Sequence, residues 1–139
     1  MTKTTLATLA FGAAVALAGP ALADKMKVTL DGKSQVPPNS SAATGTAELD
    51  YDPASKKLTW KLTYTGLSGP ATMAHFHGPA EAGKNAGVAV AIPNAGTSPV
   101  SGSATLTDAQ AADLVAGKYY INIHTAANPG GEIRGQVTK

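Results

Sequence analysis

The 139-residue chain has no cysteine, few aromatics and little net charge. Without thiols no disulfide can hold an exported fold together, so packing and any bound ion must do so. Aromatic residues make up 5 % of the chain, with one Trp, four Tyr and two Phe, too few for a strip on which nucleobases could stack. The formal charge of +2 gives no electrostatic case for nucleic acid or an anionic membrane as partner. No nucleophile-elbow serine, carboxylate pair or phosphate-cradling glycine loop stands in the context its chemistry requires. Histidine is also scarce, and there are only three.

Long apolar runs are confined to the beginning. Lys3 supplies a positive start, Leu6 to Ala18 is an alanine-rich apolar run too short to span a bilayer, and Ala21-Leu22-Ala23 is a small-x-small cleavage signal. Residues 1–23 therefore read as a signal peptide, and the mature chain begins at Asp24. No cysteine follows for lipid attachment and no arginine pair marks a folded-export route, so the expected location is periplasmic or secreted, without a membrane anchor. Removing Lys3 leaves a formal charge of +1 on residues 24–139, a length that suits one domain.

Within that domain, short alternating segments recur between turn-forming clusters, the pattern of an antiparallel all-β fold. Strands are expected at Met26–Leu30, around Ala47–Tyr51, around Leu58–Tyr64, and at Met73–Gly78, Gly87–Ile92 and Ser101–Leu106. Asp31 to Ser41 carries Gly32, Pro37, Pro38 and Asn39 and reads as a loop. One helix interrupts the strands: Thr107 and Gln110 form a capping box, Asp108 suits the helix N-terminus, and Gly117 ends it. A last hairpin runs Lys118–His124, turns through 125–130 and returns through Glu132–Val137.

The histidines occupy a consistent phase. Alternation along Met73-Ala74-His75-Phe76-His77-Gly78 puts His75 and His77 on one face. Along Tyr119-Tyr120-Ile121-Asn122-Ile123-His124 it puts Tyr120, Asn122 and His124 opposite the apolar residues. Residues two apart on a strand have β-carbons roughly 6 to 7 Å apart, so His75 and His77 can clamp an ion at about 2.0 Å from each nitrogen. His124, at a strand end, is the natural third ligand. Three neutral imidazoles without a carboxylate or thiolate favour copper over zinc. Nearest ring nitrogens must then lie within about 5 Å of one another.

Neighbouring residues also have blander readings. Met73 shares the face of His75 but lies roughly 13 Å from His77 on a fully extended strand, which favours packing over ligation. Glu81 and Asn94 fall in loops and read as solvated, while Pro79–Ala86 could fold back over the histidines. Arg134 could attract a small anion, although a lone arginine beside Glu132 is more often just a surface ion pair.

The run Ala74-His75-Phe76-His77-Gly78-Pro79-Ala80, the segment Gly87–Ile92, the helix region Leu106–Gly117 and Tyr119–Thr125 with Asn128-Pro129-Gly130-Gly131-Glu132-Ile133-Arg134-Gly135-Gln136 together resemble the CHRD domain, named from chordin. The resemblance covers nearly all of residues 24–139. It implies an antiparallel Greek-key, immunoglobulin-like sandwich with one short helix, found in exported bacterial proteins and an animal extracellular antagonist of growth factors. The order of His75, His77 and His124 is also similar to the copper ligands of copper/zinc superoxide dismutases, and Arg134 follows the last histidine as their anion-guiding arginine does. The bridging histidine, zinc ligands and disulfide of those enzymes are missing, so that resemblance implies at most a copper-only site. Three readings stay open: a copper site that dismutates superoxide with Arg134 as the catalytic anion guide, a copper carrier or buffer, and an adhesion or matrix module without metal.

Overall fold

The computed structural model describes residue 10, residues 12–15 and residues 22–139. Most of the expected signal peptide lies outside the described residues.

Among the described residues, eight strands and one helix follow one another as β1 (Asp24–Asp31), β2 (Thr44–Asp52), β3 (Lys57–Thr65), β4 (Ala71–His77), β5 (Val88–Ile92), β6 (Val100–Thr105), α1 (Asp108–Val115), β7 (Tyr119–Thr125) and β8 (Ile133–Val137). Every expected strand is present, with ends shifted by at most three residues. Alternation explains the inward face. Met26, Val28 and Leu30 of β1, Ala47, Leu49 and Tyr51 of β2, and Leu58, Trp60 and Leu62 of β3 are all buried while the residues between them face out.

The strands form one continuous antiparallel sheet in the order β5-β4-β7-β8-β1-β2-β3-β6. Its two four-stranded halves meet where β8 lies against β1, with Asp31 opposite Arg134. Trp60 on β3 nevertheless meets Phe76 on β4 edge to face, with centroids 5.4 Å apart. Strands so far apart in sheet order can touch only if the sheet curls over on itself, so the two halves enclose a single core in a nearly closed barrel.

The helix closes part of this core. Its N-terminus carries the full capping box, with Gln110 N–H donating to Thr107 Oγ1 at 3.2 Å and Thr107 N–H donating to Gln110 Oε1 at 2.9 Å. Ala111 and Leu114 are buried against the strands, and Gly117 turns the chain into β7 at φ +74°.

One strand departs from simple alternation. All seven residues of β7 are buried, although only Tyr119, Ile121 and Ile123 point into the core. Its polar face is covered by connecting loops, with His77 and His124 buried there and His75 half-buried beside them.

Candidate metal centre

Strands β4 and β7 are neighbours, and their register decides which side chains meet. Met73 lies opposite His124, His75 opposite Asn122 and His77 opposite Tyr120. Ala74 and Phe76 point inward at 1 % and 0 % exposure, which forces His75 and His77 onto the outer face. His75 leans diagonally along the pair, so its Nδ1 comes within 3.2 Å of His124 Nε2. One ligand atom from each of His75, His77 and His124 falls within 4.8 Å of the others, inside the limit that bonds of about 2.0 Å to one ion impose.

Backbone carbonyls set the ring tautomers. His124 Nδ1–H donates to Pro129 O at 2.8 Å, which leaves its Nε2 lone pair facing the cluster. His77 Nδ1–H donates to Ala86 O at 2.9 Å, and its Nε2 is likewise left for the cluster, 2.9 Å from Asn122 Oδ1. Asn122 turns its carbonyl oxygen to that nitrogen and its NH₂ to Gly130 O, so an ion at Nε2 would take the place of a proton shared with Oδ1. His75 presents Nδ1, whose proton the His124 Nε2 accepts while no cation binds. Such second partners fix ring orientation and raise ligand basicity in metal sites.

Electrostatics disfavour protonation of His75 and His77. Burial pushes the His75 pKa below its ordinary value, and the neighbouring His124 and His77 add to the shift. Burial also lowers that of His77, against the opposing hydrogen bonds to Ala86 and Asn122. The arrangement thus offers three imidazole nitrogens converging from two adjacent strands, and it fits a metal ion.

A family model for the CHRD domain matches residues 26–137. The chain belongs to the CHRD domain family. No curated protein and no solved structure matches it. Among the described residues of this CHRD protein no helix is long and apolar enough to cross a membrane.

Around the histidines the CHRD domain carries supports that composition alone does not reveal. Tyr120 stacks on His77 with ring centroids 4.8 Å apart and planes 2° apart. Its hydroxyl accepts from Ala86 N–H and donates to Ala86 O, both at 3.1 Å, so one side chain holds both His77 and the β4–β5 loop. Gly131, at φ +122°, backs this cluster. A β-carbon there would stand 2.8 Å from Asn122 Nδ2 and 2.5 Å from Gln35 Nε2, so only glycine leaves those amides in place.

Arg134 and Glu132 correct the surface ion pair expected of them. Arg134 is 2 % exposed, and its guanidinium carbon lies 3.4 Å from the centroid of the Tyr120 ring. Its Nη1 donates to Asn85 Oδ1 at 3.0 Å and its Nη2 to Lys84 O at 2.6 Å, which straps the β4–β5 loop over β7. Glu132, 1 % exposed, instead accepts from Ser41 Oγ at 2.7 Å, Thr125 Oγ1 at 2.7 Å, Ser68 Oγ at 2.8 Å and Ser68 N–H at 3.0 Å. Burial raises its pKa, but those four donors outweigh it and bring the carboxyl down to about 2.

The remaining sequence candidates are exposed. Glu81 and Asn94 are exposed, and Met73 is 49 % exposed rather than packed. Alternation puts Tyr120 and Asn122 on the face of His124, but the Tyr120 hydroxyl contacts depend on Ala86, nine residues beyond His77 in sequence, which no periodicity encodes.

Proposed function

We propose that this CHRD domain is an exported copper-binding module, with His75, His77 and His124 as ligands and residues 1–23 as the leader that directs it to the periplasm or the exterior. The observation that carries the reading is the convergence of three imidazole nitrogens within 4.8 Å, two of them oriented by hydrogen bonds to backbone carbonyls. Neutral nitrogen donors without carboxylate or thiolate suit copper in both oxidation states, whereas zinc takes a fourth ligand. Copper bound there would supply one-electron chemistry.

Superoxide dismutation is the catalytic extension of this reading. It requires a coordination position open to the anion, and His75, the half-buried member of the three, is on the solvent side. Arg134 enters as the proposed electrostatic contributor. Its charge is felt at His77 across Tyr120, although two of its nitrogens are already held by the loop. Capture or buffering of copper needs neither the open position nor a free arginine.

Metal analysis of the purified protein tests the reading directly. One copper per chain, lost in His124→Ala, is the expected result, and no uptake by the wild-type chain would leave an interaction module without metal. Superoxide decay measured on the copper-loaded protein then separates the enzyme from the carrier.

A further inference from the structure

Met73 stands in a position that the extended-strand distance to His77 obscures. In the register of β4 against β7 it lies directly opposite His124, and it is two residues from His75 on the same outer face. Directly opposed residues of an antiparallel pair have β-carbons about 4.5 to 5.5 Å apart. A Met side chain, with three rotatable bonds, readily bridges that separation. The relevant neighbours of its sulfur are therefore His124 and His75, whose facing nitrogens are 3.2 Å apart, and the distance to His77 is immaterial.

Its setting is equally informative. Beside it the β4–β7 register slips between Ala71 and Met73, and both Thr72 and Met73 turn outward. Of the apolar side chains on β4, Ala71, Ala74 and Phe76 are buried, while Met73 is 49 % exposed. It fills no part of the core, so rotating its thioether toward the histidines sacrifices no packing. Thioether sulfur is a soft donor that selects Cu(I), whereas imidazole serves Cu(I), Cu(II) and zinc alike.

We propose that Met73 is a fourth ligand of the three-histidine centre, engaged when the bound ion is Cu(I), so that the site retains reduced copper in preference to oxidised copper or zinc. This rests on the copper reading above. With sulfur on the ion the reduced site is four-coordinate and closed, which suits a carrier of Cu(I) better than an enzyme that must admit a substrate to its metal.

Met73→Leu tests the proposal, because an exposed position tolerates the change and the fold stays intact. Full-length mature protein is titrated with Cu(I) against a chromophoric Cu(I) chelator and separately with Cu(II) against a Cu(II) chelator, and X-ray absorption is recorded on the Cu(I) form. The expected result is a sulfur scatterer on wild-type Cu(I) that disappears in M73L, with Cu(I) affinity falling about tenfold or more and Cu(II) affinity moving by less than about threefold. Copper uptake by the wild type with nitrogen scatterers only, and equal Cu(I) affinity in M73L, overturns the Met73 assignment and leaves the histidine site standing. No uptake of either ion by the wild type overturns the copper reading and Met73 with it.

Discussion

The His77 imidazole and the Tyr120 phenol ring lie face to face, 2° from parallel with centroids 4.8 Å apart. β7 runs between β4 and β8, so His77 reaches Tyr120 from one flanking strand and Arg134 from the other. The three side chains form one stack that fixes the plane of the His77 ring.

Tyr120→Leu removes the stack and both contacts to Ala86. Copper affinity is expected to fall by about tenfold or more, as happens when an outer partner of a ligand is lost. Tyr120→Phe keeps the ring but not the hydroxyl. Amide exchange in residues 78–87 should quicken in that variant while affinity changes little, and equal exchange in both proteins would remove the hydroxyl's role in holding the loop.

Asn122→Ala deprives His77 Nε2 of its side-chain neighbour at 2.9 Å. That nitrogen is the one an ion would take, while Ala86 O and the Tyr120 ring still hold the imidazole, so copper affinity read by chelator competition is expected to stay within about threefold of the wild type. A loss of about 10-fold or more would mean that Asn122 is needed to orient the ring.

Acidity should release the ion late. Ligand nitrogens must be unprotonated, and both His75 and His77 have pKa values held below the ordinary 6.5. At those two nitrogens protons compete only at pH values under that figure, and copper occupancy measured by dialysis should fall below it. Half-release above 6.5 would contradict the depressed values.

Glu132 should govern acid stability. Its carboxyl titrates near 2 in the folded chain against 4.5 for an ordinary glutamate, so the unfolded chain binds the proton first as pH falls. The stabilisation is complete above the unfolded value and is lost progressively as pH drops through 4.5 toward 2, an effect of about 3 kcal/mol. Glu132→Gln should lower the urea midpoint near neutral pH and converge with the wild type at about pH 2. Parallel midpoints at both ends would assign the loss to packing instead of charge.

Much of this was legible before any coordinates. Alternation located the strands, the Thr107–Gln110 pair located the helix start, and the phase of β7 put His124 on the same side as Tyr120 and Asn122. The roles of Arg134 and Glu132 were not legible, because their positions two apart on one strand suggest a mutual pair. Their actual partners are Asn85, Lys84, Ser41 and Ser68, supplied by loops 49 to 91 residues distant in sequence. Burial of the outer face of β7 escaped notice for the same reason, since strand periodicity reports which side a residue takes and not what later settles over it. The nearness of Met73 to His124 needed the pairing register, which a slip beside Ala71 shifts by one residue.

The four donors gathered on Glu132 fasten the β1–β2 loop, the β3–β4 connection and the β7–β8 turn to a single carboxylate. A cross-link made of protons and oxygen needs no oxidant to form and no reductant can cut it. The chain can consequently mature without thiol-oxidising enzymes, and a reducing host cytosol and an oxidising envelope should yield the same barrel.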